Sequence, residues 1–394
     1  MDCKLNLSVD RIEQDKAYPA LAVWTAQPYT AGWRQFVHHW PNTVPVELLE
    51  HCKTHGVECE LSLVQDSAGG YYPVGVGFFN FDVDYFGLTS LLVQSRLRNR
   101  TLIALFYYHE GDNPARIKER LDHLCQIHQL PVNCYRFVSG NTAADNIPGF
   151  VYFPDHELLF WHRNQAAMPA EIHLNPRPWE FTALSRTHKW WRATAMTDLE
   201  RTGLLSRSQW SYGMTDIGDR FEDNPIEIDY EPGLRAAVDR FISQAPYTCD
   251  TMTPDQQNDH HLTEYAHYTQ SYCNIVLETH FDADQSDGAF LTEKTFKPIK
   301  HGQPFVIVGA PGSLAALRSL GYRTFDQAID NSYDEETDNT QRWIKIKSAI
   351  AKIKSQDMHA WFAGCVDDLQ HNQQLFCSSK QSRLSTLLER LKFP

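Results

Sequence analysis

The chain has 394 residues, long enough for two domains, with 42% hydrophobic and 22% charged side chains, an ordinary globular balance. Its formal net charge of −13 supplies no broad basic face, which argues against a long nucleic-acid partner without excluding a nucleic-acid base as an acceptor. Nine scattered Cys form no CxxC pair, so free thiols in a reducing compartment are expected rather than a zinc knuckle or a disulfide framework. The stretch Met1 to Asp10 is polar and charged, unlike a signal peptide, and no apolar run is long enough to span a bilayer. A soluble cytoplasmic protein with no transmembrane segment is the expectation.

Taken in order, Leu102 to Tyr108 is an apolar and aromatic run that predicts a buried parallel strand. Pro114 opens a helical pattern to His128, with Ile117, Leu121, Leu124 and Cys125 on one face. Val132 to Val138 follows as a strand, which completes a βαβ unit. Residues 165–178, rich in Pro, Ala and Asn, read as a linker. Beyond it the pattern restarts. Strands are predicted at Glu180–Leu184, Gln209–Tyr212, Tyr272–Glu278 and Phe305–Val308. Helices are predicted at His188–Thr202, Pro232–Gln244, Thr292–His301, Leu314–Leu320, Asn339–Lys354 and Gln381–Leu391, with Gly203, Gly302 and Gly321 as stops. The fold class is therefore α/β, with two Rossmann-like lobes facing a cleft. The domains are 1–170 and 171–394, and the last helix is expected to pack back on the first.

The densest chemistry lies in Phe290 to Gly309. Thr292 is placed to cap a helix, with Glu293 and Lys294 in its first turn. A lysine there opposes the helix dipole, a local cost that a bound phosphate offsets, while the exposed N–H groups favour an anion. Glu293 is suited to accept hydrogen bonds from a ribose diol. Upstream, Ala183 to Arg192 concentrates Arg186, Lys189, Arg192, Trp190 and Trp191 after a strand. A cationic turn of this kind suits a diphosphate. Glu278 ends a strand and lines the same candidate pocket. Ala310-Pro-Gly-Ser-Leu314 is a second anion-compatible helix start, with Ser313 as the expected cap.

The Phe290–Gly309 segment resembles the C-terminal lobe of GT10-type fucosyltransferases and related GT-B enzymes, which carry an aromatic-x-Thr-Glu-Lys turn, a helix, a glycine and a Pro-containing buried strand. Phe290, Thr292, Glu293, Lys294, Gly302, Pro304 and Val306 to Gly309 match that pattern. The resemblance implies that Glu293 holds the donor ribose and Lys294 the pyrophosphate. Arg192 fits the position of an arginine that reaches the donor phosphates, with Arg186 and Lys189 as substitutes.

These residues lead to a glycosyltransferase that moves a sugar from a nucleotide-sugar to a hydroxyl on a glycan or other acceptor, inverting and without a metal. No cofactor is expected beyond the donor. Glu110, at the end of a strand, is the candidate general base, with His109 and Asp112 nearby. The alternative is a non-catalytic glycan- or protein-binding protein of similar fold. Asp82 and Asp84 alternate with apolar residues and are expected in a structural turn or edge strand. Asp282 to Asp287 lacks the glycine and distal glutamate of an EF-hand. His260, His261 and His267 lack an HExxH frame and are expected to be packed or solvated.

Overall fold

The computed structural model describes residues 4–9, 44–76, 79–108, 110–163, 171–215, 221–249, 264–282 and 287–391. The chain divides into two compact units, one of Met1–Asp155 with Ser379–Pro394 and the other of His156–Ser378. Each is α/β and built on a parallel sheet, the class expected from the sequence. Among the described residues no helix is long and apolar enough to cross a membrane.

The first unit holds β1 (Lys4–Val9), β2 (Glu58–Leu63), β3 (Gly70–Val76), β4 (Leu102–Tyr108), β5 (Tyr135–Ser139) and β6 (Phe150–Tyr152). They lie in the order β2-β1-β3-β4-β5-β6, and all pair parallel. Every residue of β4 is buried, because a central parallel strand is covered on both faces and its apolar run has no polar side to show. Phe106 is fully buried and meets the rings of Tyr85, Phe86 and Phe137 at centroid distances of 5.9, 5.8 and 6.0 Å. Its burial contributes about 2–3 kcal/mol. The helix Pro114–Ile127 follows, its first amides held by the Asn113 side chain and Pro114 filling a position whose N–H has no helical acceptor. Ile117, Leu121, Leu124 and Cys125 are its buried stripe, as the periodicity predicts. β5 begins at Tyr135 rather than Val132, because the Cys134 amide donates to the Pro131 carbonyl and closes a turn first.

The second unit holds β7 (Trp179–Thr187), β8 (Ser208–Thr215), β9 (Ser271–Leu277) and β10 (Phe305–Val308) in the order β10-β9-β7-β8, again parallel. The chain leaves β7 for β8 on one side and returns to β9 on the other. The loops after β7 and β9 therefore part at the switch point of this sheet, where ligands of open α/β sheets bind. β7 and β8 approach closely at a register shift between Ser185 and Thr187. A Cβ on Gly213 of β8 would fall 2.1 Å from the Arg186 carbonyl oxygen, so this position requires glycine.

The helix Trp190–Arg201 has no solvated basic face. Trp191 to Leu199 are all buried, Arg192 and Asp198 included. Asp198 is fully buried and accepts from Tyr230 and from the Trp343 indole at 2.9 Å, while Lys347 lies 2.9 Å away. The helix Glu293–Lys300 starts at Thr292 and ends before Gly302, whose φ of +63° is the left-handed conformation that closes a helix. Phe305–Val308 and the helix Asn339–Lys354 have the predicted limits. The last helix is longer than predicted, Val366–Arg390. The helix Met358–Gly364 precedes it.

Candidate functional site

The site is built where β9 ends. Leu277 is followed by Glu278, a carboxylate only 1% exposed. Its oxygens accept from the Thr292 amide at 3.1 Å, the Thr292 hydroxyl at 2.6 Å, the Thr295 hydroxyl at 2.6 Å and the Thr279 amide at 3.2 Å. A buried carboxylate is stable only with such partners. Its effect is to fasten the first turn of the helix Glu293–Lys300 to the end of β9. Glu278 thus brackets the turn from beneath.

Three cations from two distant parts of the sequence meet over this bracket. Lys189, at the N-cap of the helix after β7, donates to the Thr279 carbonyl at 2.7 Å. The Arg192 guanidinium donates to the Glu278 carbonyl and, at 3.3 Å, to the Thr187 carbonyl. It is 3% exposed and lies 5.2 Å from the Trp191 ring centroid. By bonding the carbonyl of the last residue of β7 and one just beyond β9, it ties together the two strand ends at the switch point. Lys294 lies 3.4 Å from the Thr279 hydroxyl and 3.2 Å from the Thr292 hydroxyl, with its side chain 30% exposed. Thr292 caps the helix as expected, its hydroxyl accepting from the Lys294 amide at 3.4 Å.

His280 lies buried beside these groups. Burial, with Lys189, Arg192 and Lys294 adding to it, lowers this imidazole to about 3, so it is neutral at physiological pH. Its Nδ1 is buried with no hydrogen-bond partner among the described residues. Glu293 is 6% exposed and lies 3.2 Å from Lys294 and 3.4 Å from His156 Nδ1. Burial alone would raise its pKa, but Lys294, the neighbouring His156 imidazole and Lys297 hold it well below the usual carboxylate range. The turn therefore offers an ionised Glu293 beside a partly exposed Lys294, over a base of fixed positive charge.

Sequence reasoning missed His156, His280 and Arg342. The Arg342 guanidinium is 1% exposed and donates to the carbonyls of Phe281 and, at 3.2 Å, Gly309, so it braces the segments beyond β9 and β10. Burial lowers its pKa to about 10, leaving it charged at neutral pH. A signal existed, since Arg342 falls on the same helix stripe as Ile346 and Ile350. His156 and His280 carry no local signal. Arg186 lies in β7 itself, half-buried at the register shift.

The second anion-compatible helix start is filled from within. Gly312, with φ of +79°, is the N-cap of the helix Ser313–Ser319, and Ser313 instead donates to the Ala310 carbonyl at 2.6 Å. The Leu314 and Ala315 amides donate to the Asp334 carboxylate at 2.8 and 2.9 Å. The expected Ser313 cap is thus corrected.

On the first unit, Glu110 is half-buried just beyond β4, and His109 lies outside the described residues. The neighbouring Tyr108 hydroxyl donates to Asp112. Burial, Asp112 and Glu110 together push that phenol well up. Asp82 and Asp84 lie in a turn, where Asp84 accepts from the Gly87 amide at 2.9 Å and pairs with His128 at 2.7 Å. Asp282 accepts from Asn339 at 3.1 Å, and residues 283–286 lie outside the described residues. His267 is buried against Gln209, 2.8 Å away, and Glu264, 3.4 Å away. His260 and His261 lie outside the described residues. Among the described residues no cluster of three or more His, Cys, Asp or Glu is placed to hold a metal.

No protein-family model matches the chain. No curated protein matches it either. Among solved structures it is similar to one titled "Crystal Structure of alpha1,3-Fucosyltransferase", with 11% identity and a TM-score of 0.41 over 98% of this chain and 90% of that one.

Proposed function

We propose that the chain is a glycosyltransferase that uses a nucleotide-sugar donor. The observation that carries this reading is the convergence of Lys189, Arg192 and Lys294 on Glu278–His280 at the switch point of the second sheet. Concentrated positive charge with partly exposed ammonium groups suits a diphosphate. In this reading Lys294 contacts the diphosphate directly and Glu293 accepts from the ribose hydroxyls. Arg192 acts mainly as fixed charge, because it is buried and already donates to two backbone carbonyls, and Lys189 braces the Thr279 carbonyl beside it. Glu278 and Thr292 keep the turn in place.

The reaction is a displacement at the anomeric carbon. The bond from that carbon to the diphosphate oxygen breaks, and a bond to the acceptor hydroxyl oxygen forms. The electron pair leaves with the nucleoside diphosphate, whose growing charge the cations stabilise. Glu110 is the proposed base that takes the acceptor proton, and a single displacement inverts the anomeric centre. The acceptor is a hydroxyl-bearing glycan or comparable compound. Transfer is proposed to need no divalent ion, since the side-chain cations supply the charge.

The test is a panel of nucleotide-sugars assayed for release of the nucleoside diphosphate, in the presence of a chelator. Turnover of at least one donor that falls at least a hundredfold in Lys294→Ala supports the reading. Absence of both turnover and nucleotide binding across the panel would contradict it and favour the non-catalytic binding protein.

A further inference from the structure

Beside the edge strand β6 of the first unit lies a cavity of about 540 Å³. Its wall comes largely from the segments leading into β5 and β6, with Asn133, Tyr135, Arg136 and Gly149 among the lining residues. These are the amino ends of the strands, whereas Glu110 follows the carboxyl end of β4. Three cations line it, Lys118, Arg136 and Arg390, and among the described residues no carboxylate does. Lys118 is held by Asp122 at 2.5 Å, and that carboxylate also accepts from the Tyr135 hydroxyl at 2.6 Å. Arg390 is held by both oxygens of Asp145. Arg136 differs. It is half-buried, donates to the Tyr135 carbonyl at 3.1 Å, and makes no ion pair among the described residues.

A guanidinium lining a concavity with no carboxylate of its own is a recognition element for an oxyanion, because its fork matches two oxygens at once. It is the more notable in a chain with net charge −13, where carboxylates are abundant. Tyr135, Phe150, Pro148 and Val132 supply apolar surface beside it, which suits the C–H face of a ring. The volume admits one or two sugar-sized rings. We propose that this cavity is a binding site for a small ring compound carrying a single oxyanion, a phosphate monoester or a carboxylate, with Arg136 as its anchor. The site is separate from the cationic turn of the second unit and stands or falls without the proposed reaction.

The experiment is calorimetric titration of the full chain with glucose 6-phosphate, glucuronate and neutral glucose. The expected result is saturable binding of one or both anionic sugars, at least about tenfold tighter than glucose, weakened about tenfold in Arg136→Gln and partly restored in Arg136→Lys. Whichever anionic sugar binds identifies the oxyanion. Val132→Trp, a change at a half-exposed position on the rim, should block binding without touching a cation. Lys294→Ala should leave it intact. The proposal is overturned if neither anionic sugar binds, if glucose binds as well as both, or if Arg136→Gln and Val132→Trp bind like the parent. It is equally overturned if Lys294→Ala removes the binding, since the ligand then sits at the other site.

Discussion

Two helices begin beyond the carboxyl ends of neighbouring strands in the second sheet, and their fates differ. The helix Ser313–Ser319, after β10, has its first amides capped by Asp334. The helix Glu293–Lys300, after β9, is held from below by Glu278 and carries a lysine, still 30% exposed, in its first turn. Both look alike in sequence, each a small polar turn leading into a short helix. What separates them is a carboxylate brought from outside the turn: Asp334 closes one amide cluster, while Glu278 spends its oxygens on threonines and leaves Lys294 of the other turn partly exposed. An anion site is thus defined by which of the protein's own carboxylates reaches it.

The largest expected effect comes from removing the bracket. Glu278→Ala would leave the Thr292 amide and the Thr292 and Thr295 hydroxyls without their acceptor, and should cost about 3 kcal/mol of stability, read as a lower denaturation midpoint with an unchanged slope. Next is Lys294→Ala, which should weaken nucleoside diphosphate binding at least about thirtyfold and cost about 1–2 kcal/mol, since it takes one partner from the buried Glu293 and leaves His156 beside it. Asp334→Ala should cost about 1 kcal/mol through the lost cap and leave nucleotide affinity unchanged. If Asp334→Ala weakened nucleotide binding as much as Lys294→Ala, the contrast between the two turns would be broken.

A smaller effect is expected from acid. Burial, helped by neighbouring cations, lowers both His280 and His301 to about 3, below the ordinary histidine value. The unfolded chain therefore takes up protons first as pH falls below about 6.5, so stability should decline from there toward pH 3. Glu293 adds to the loss at the lower end, because its depressed pKa gives stability that is present above the unfolded carboxylate value and vanishes as pH falls through the folded one. Thermal melts at pH 7.5 and 5.5 should show a lower Tm at 5.5, and His301→Phe should reduce the difference. Equal Tm values would contradict this.

Much of the fold was legible because local chemistry and tertiary role agree. The buried run Phe305–Val308 and the amphipathic Asn339–Lys354 have the limits their patterns predict. The helix Val366–Arg390 was read only from its final turns, because its first half, with Asp367, Asp368, Gln370 and His371, shows little apolar stripe. In the helix Trp190–Arg201 the charge of Asp198 is satisfied inside the core by partners as distant as Trp343 and Lys347, which no local pattern announces. The same holds at the candidate site. Thr292, Glu293 and Lys294 announce themselves as a helix start, and Lys189 and Arg192 as a cationic turn. That they meet at one stretch of three residues depends on strand order, which puts β7 next to β9, and no local pattern encodes it. His156 enters through that tertiary arrangement alone.

The most direct measurement is calorimetric titration of the purified chain and of Lys294→Ala with a set of nucleoside diphosphates, without divalent ions. Saturable binding of at least one of them by the parent, lost in the variant while it still unfolds in one cooperative transition, is the predicted result. Equal affinity in the two proteins, or no binding by the parent, would contradict the assignment of the turn at Lys294 as the diphosphate site.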